Sequence, residues 1–212
     1  MRAAPLPPTG ARAPQTPFRR VVDDFFANPV ATFGFGLLCL IVFFAIFAPL
    51  ISPQNPYDLA QIDVMEGRLP PGSATATGGT FWLGTDDQGR DMLSAIFYGL
   101  RISLAVGAAS TVLALVIGLA AGLAAAYLGG RIEAMVMRVV DIQLSFPAIL
   151  IAFILIAVLG QGTGKVIAAL VTIQWAYYAR TVRAAAMVEK RREYIEAARC
   201  LALSPARIVF RH

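Results

Sequence analysis

Two long runs without a charged residue constrain this chain more than anything else in it. Val30 to Ile51 is 22 residues and Ile102 to Leu128 is 27. At 1.5 Å per residue the first makes a helix of about 33 Å, enough to cross a hydrocarbon core about 30 Å thick, and the second is longer still. A buried helix of a water-soluble protein does not reach that length. Composition agrees: 58% of the 212 residues are hydrophobic and 15% charged, where a soluble domain carries about 25% charged residues. The first run is not a cleaved leader, because it is too long and no small-x-small cleavage site follows it. The expected fold class is therefore all-α integral membrane.

Within the second run Ala114, Gly118, Gly122 and Ala126 repeat every four residues, with Gly107, Ser110 and Ala121 close to the same face. Small residues at that spacing let a neighbouring helix backbone approach closely in lipid, so this is the expected packing helix. Gly129-Gly130 ends it, and Arg131, Glu133 and Arg138 predict a short polar loop. Between Asp141 and Lys165 lie 23 uncharged residues, read as a third span kinked at Pro147, with Ser145 near enough to satisfy freed backbone groups. Asp141, three residues after Arg138, reads as a local ion pair at the interface or as a gating or subunit-contact residue. Val166 to Ala179 is a fourth, short span of 14 residues. It crosses only if Lys165 and Arg180 snorkel and the helix continues past Arg180; otherwise it is re-entrant or interfacial. Trp175, Tyr177 and Tyr178 fit an aromatic belt at its inner end.

The remaining segments are polar. Met1 to Pro17, rich in Pro, Ala and Thr, reads as a disordered tail, and Val21 to Ala27 as an interfacial helix. Ser52 to Gly99 is a small exposed cap or a partly disordered connection, with Trp82 to Leu100 a helix that lies at the interface or feeds the next span. Asp86, Asp87, Arg90 and Asp91 are read as a helix-start cluster rather than a metal site. Cys39 and Cys200 are read as free thiols, and His212 alone cannot build a metal site or a triad. Gly160 to Lys165 has the look of a phosphate loop, but Leu159 stands where the first glycine is needed and Val166 where Ser or Thr is needed. With the N-terminus inside, fourteen of the 18 Lys and Arg fall on the cytoplasmic side, as the positive-inside bias requires.

The last stretch, Arg191 to His212, is amphipathic. Tyr194, Ile195, Ala198 and Leu201 share one helical face, and Arg192, Glu196 and Arg199 share another. Ser204-Pro205 is a start signal for a second helix, so a helix–turn–helix is offered to a soluble partner. Here the chain resembles a family. Glu196-Ala197-Ala198, Leu201, Ser204, Arg207-Ile208 and Arg211-His212 resemble the EAA loop of bacterial ABC importer permeases. Leu83-Gly84-Thr85-Asp86, Gly89-Arg90-Asp91, Leu93-Ser94, Gly99, Arg101, Met137-Arg138, Asp141, Pro147, Trp175 and Tyr178-Ala179-Arg180 extend the resemblance, which runs from about Asn28 to the end. It is to the second permease subunit of dipeptide, oligopeptide and nickel importers. Ala202 stands where the family has Gly, and would strain a left-handed turn by roughly 1 kcal/mol.

The resemblance implies a type I importer permease bundle, with four spans in this chain and about two more beyond it, so the chain reads as truncated after the loop. It implies a solute pathway shared with a second permease, in a heterodimer. Two cytoplasmic ATPase subunits would carry ATP and Mg, a periplasmic binding protein would deliver the solute, and this chain would bind no cofactor. The expected solute is peptide, with a nickel chelate or another small solute as the alternative. The expected coupling residues are Tyr194, Glu196, Ala197, Ala198, Arg199, Leu201 and Ala202. The expected parts are a cytoplasmic tail (1–28), a first span with a periplasmic connection (29–101) and a partial permease core (102–212), in the bacterial inner membrane. A membrane-anchored DNA-binding protein is disfavoured, because Pro205 to His212 lacks base-reading Asn and Gln. An intramembrane enzyme is disfavoured because only Asp141 stands near a span.

Overall fold

The computed structural model describes residues 17–75 and 78–201. They form seven α-helices and one two-residue hairpin: α1 Pro17–Ala27, α2 Pro29–Ile51, β1 Ser73–Ala74, β2 Thr80–Phe81, α3 Met92–Leu128, α4 Gly130–Leu144, α5 Ala148–Leu159, α6 Thr163–Glu189 and α7 Glu193–Cys200. Two compact units divide between Arg101 and Ile102, inside α3.

In the first unit the Asn28 side chain caps α2, its Oδ1 accepting from Val30 N at 3.0 Å and Ala31 N at 3.3 Å, with Pro29 giving up a donor that had no partner there. Among the described residues, the connection after α2 is held to itself by loop hydrogen bonds. Thr85 Oγ1 donates to Glu66 O at 2.5 Å and accepts from Leu69 N at 2.8 Å, and Thr85 pairs with Asp91 in an isolated bridge. Asp91 starts α3: one carboxylate oxygen accepts from Ser94 N at 2.8 Å and Ser94 Oγ at 2.5 Å. Gln54, just past α2, accepts from Asp91 N at 2.7 Å and donates its own N–H to Ser94 Oγ at 3.3 Å. Phe44 stacks on Phe97 at 4.9 Å. Asp91 is 1% exposed and is a buried helix cap, whereas Asp87 of the same cluster is exposed and pairs with Arg68. Beside it, Asp86 accepts from Gln88 N, Arg90 N and Arg90 Nε. Burial opposes ionisation of Asp86, but those donors and the guanidinium charge outweigh it and hold its pKa below the ordinary value.

In the second unit α3 continues unbroken from Met92, so the amphipathic piece before Arg101 feeds the span directly. At 37 residues it is about 55 Å long. Three expectations need correction. Arg131 to Arg138 do not form a loop, because Gly129 (φ 64) turns the chain within one residue and α4 begins at Gly130. The segment from Asp141 to Lys165 is not one kinked helix: α4 and α5 meet at 89°. Pro147 has no N–H and disfavours a helical Phe146, so α4 stops at Leu144 and Ser145 Oγ turns back to Asp141 O at 2.7 Å. The expected four spans become, among the described residues, two helices long and apolar enough to cross (α2 and α3), or three if the bent pair counts as one. α6, 27 residues and about 40 Å in all, does run past Arg180 to Glu189, but its second half is polar. The fold class is all-α membrane protein.

The core of this unit lies where α4 meets α6. Val140, Ala176 and Ala179 are fully buried, with Ala121, Met137, Leu144 and Trp175 against them. Ala114, Gly118, Gly122 and Ala126 are all buried on α3. A Cβ on Gly118 would stand 2.7 Å from Trp175 O, and one on Gly122 would stand 2.6 Å from Ala179 O. The small residues therefore bring α3 and α6 into backbone contact.

Candidate functional site

Polar residues line up along α6 and end at α7. Near its middle, Trp175 Nε1 donates to Gln143 Oε1 at 2.9 Å, and Gln143 Nε2 donates to the carbonyls of Thr172 and Ile173. A glutamine in an apolar run must satisfy both ends of its amide, and Gln143 does so by tying α4 to α6. Next, Arg180 pairs with Asp141, so Asp141 meets a cation 39 residues away on α6, not Arg138 on its own helix. A turn further on, Arg183 pairs with Glu133, Nε to Oε1 at 2.8 Å, in a less exposed setting.

At the end of α6 the chain bends through Lys190 to Arg192 into α7. The Tyr194 hydroxyl donates to Glu189 Oε2 at 2.9 Å, and Arg192 Nε lies 3.6 Å from the same oxygen. Accepting that hydrogen bond, Glu189 raises the pKa of Tyr194 above its ordinary value, with burial and the carboxylate charge adding to the effect. Ile195, 6% exposed, is the apolar anchor of α7. Glu196 and Ala197 face outward, as do Tyr194, Cys200 and Leu201. Among the described residues Glu196 has no ion-pair partner, because Arg192 turns back to Glu189. Ala202 and the segment from Ser204 lie outside the described residues, as do the side chains of Ala198 and Arg199. Pro147 sits at the α4–α5 corner, past the end of the helix that carries Asp141.

Sequence reading missed Glu133, Gln143, Arg183, Glu189 and Lys190. The signal available for Gln143 was an amide in an apolar run; the others sit among ordinary interfacial charges and show nothing until their partners are known.

Among the described residues, two helices of membrane-crossing length, or three with the bent pair, together with a mainly helical fold, define an all-α integral membrane protein. Residues 114–212 match the model of the binding-protein-dependent transport system inner membrane component, and residues 16–71 match that of the N-terminal transmembrane domain of oligopeptide transport permease C. The di/tripeptide transport system permease protein DppC of Pseudomonas aeruginosa is 34% identical over 195 residues, 92% of this chain and 63% of the relative. The oligopeptide transport system permease protein OppC of Bacillus subtilis is 34% identical over 188 residues, 89% and 59%. The glutathione transport system permease protein GsiD of Pectobacterium atrosepticum is 34% identical over 209 residues, 99% and 67%. The chain thus spans about two thirds or less of the length of these curated relatives. It belongs to the inner membrane component family of binding-protein-dependent transport systems.

Proposed function

We propose that this chain is a permease subunit of an ATP-driven importer of short peptides. It forms half of a solute pathway with a second, different permease, and its α7 docks on a cytoplasmic ATPase subunit. The observation that carries the reading is the outward-facing Glu196-Ala197 edge of α7, on a helix whose bend from α6 is tied by Tyr194 and Glu189. Support for the solute comes from the relatives, named for di/tripeptides, oligopeptides and glutathione. All three solutes carry amide bonds and free carboxylates.

In this reading residues 1–28 are a cytoplasmic tail, 29–101 a span with a periplasmic cap, and 102–212 a permease core in the inner membrane. A periplasmic protein delivers the peptide. ATP and Mg bind to two partner ATPase subunits, whose closure moves α7 and tilts the helices continuous with it. A coupling element biases the two states only through contacts that differ between them, so the Glu196 edge must be gripped more tightly in one state than in the other.

The test is Glu196→Lys in the assembled transporter. The ATPase subunits should co-purify poorly and uptake of a labelled dipeptide should fall, while the chain still inserts in the membrane. Undiminished co-purification and uptake would remove the docking role. Orientation is tested separately: a membrane-impermeant thiol reagent should reach Cys200 only after the cells are permeabilised.

A further inference from the structure

Lys190, where α6 ends, reaches back across the second unit to α3. Its Nζ donates to the carbonyl of Ala126 at 2.9 Å and that of Tyr127 at 3.4 Å, and lies 5.8 Å from the centre of the Tyr127 ring. These two carbonyls belong to the last turn of α3, whose acceptors have no N–H within their own helix. Gly129 takes up Ala125 O, and with positive φ at both Gly129 and Gly130 the chain then turns off into α4. The ammonium therefore caps α3 from another helix, and its charge meets the negative end of the α3 dipole. The neighbouring residue does the complementary work, since Glu189 holds Tyr194 and Arg192 at the start of α7. Two adjacent residues thus grip two elements: Glu189 grips α7 and Lys190 grips α3.

We propose that Lys190 is a positioning residue for energy coupling, joining the α6–α7 elbow and the end of α3 into one moving body. Displacement of α7 then reaches the long span directly as well as through α6. Gly118 and Gly122, the close-packing residues of α3, lie on the far side of this joint and carry the motion into the α3–α6 contact. The inference rests on the reading of α7 as the ATPase contact.

The experiment is Lys190→Met and Lys190→Arg in the complete transporter, with partner permease and ATPase subunits, in proteoliposomes. Lys190→Met should co-purify its ATPase subunits at the wild-type level and keep basal ATP hydrolysis. It should lose the stimulation given by the peptide-loaded binding protein, and dipeptide uptake should fall about tenfold, within the range usual for a coupling interaction. Lys190→Arg, which retains cationic donors, should recover most of the uptake. Wild-type uptake by Lys190→Met overturns the proposal. If Lys190→Met does not assemble, the decisive measurement keeps Lys190: spin labels at Leu128 and Arg191 should show the same separation without nucleotide and with ATP-vanadate. A change beyond about 2 Å, more than packed helices adjust, overturns the joint. The two readings fail separately. If Glu196→Lys sheds the ATPase while Lys190→Met transports normally, the joint alone is wrong; if Glu196→Lys sheds nothing, the docking role falls and the joint with it.

Discussion

A Cβ built on Gly118 would stand 2.5 Å from the Cβ of Tyr178, closer than two carbon atoms can pack. Glycine at 118 is therefore a condition of α3 and α6 lying together, whatever its cost to the helix. The first prediction sets two opposing terms against each other. Replacing a mid-helix Gly with Ala gains roughly 0.5–1 kcal/mol of helix propensity, whereas overpacking a tight contact costs about 1–3 kcal/mol. At Gly118 the neighbours include backbone atoms that cannot swing aside, so the clash wins. Gly118→Ala should lower the Tm in detergent. Gly107→Ala, with nothing within 4 Å, should leave it unchanged or raise it.

Gln143→Leu should destabilise more than its volume suggests. It leaves the Trp175 N–H without its acceptor and the Thr172 and Ile173 carbonyls without their side-chain donor. A part-buried donor stranded in this way costs about 1–3 kcal/mol. In a Trp82→Phe background Trp175 is the single tryptophan, since the chain has 2, and its emission should shift on the substitution. An unchanged spectrum and Tm would mean the amide bridge carries nothing.

Asp91→Ala removes the cap of α3 and strands the Ser94 hydroxyl and amide. A lost N-cap costs about 0.5–2 kcal/mol, so the first unit should become more open to protease between Gln54 and Arg90. Asp91→Asn keeps an acceptor for Ser94 and should be milder. Equal loss from both would point to the charge instead of the cap.

The Asp86 loop gives a pH dependence. Its folded pKa is lowered, so its contribution is complete above the unfolded value, about 3.9, and is lost as pH falls through the folded one. Wild type should therefore be more protease-resistant than Asp86→Asn at pH 7. The difference should narrow as the pH is taken below about 4. A gap independent of pH would show that the loop amides hold the turn without the carboxylate's charge.

The spans α2 and α3 were legible because hydropathy is summed over one window, and neither run contains a charge to interrupt it. The Ala114, Gly118, Gly122, Ala126 stripe was legible for a similar reason, since a period of four needs no knowledge of the partner. The α4–α5 corner was half legible. Pro147 announced a break, but its angle depends on where Ser145 and Phe146 send their backbone groups, and hydropathy does not see that.

What the sequence alone determined was the solvent each segment prefers and the residue pattern of α7, because transfer free energy and helix periodicity belong to neighbours along the chain. Only the tertiary structure decided that Asp141 meets Arg180, that Glu133 meets Arg183, and that Lys190 closes the end of α3. Those partners lie 39 to 64 residues apart, and several residues of suitable charge compete for each. Which pair forms is settled by the close approach of helix backbones, a property of the packed bundle that no single segment contains.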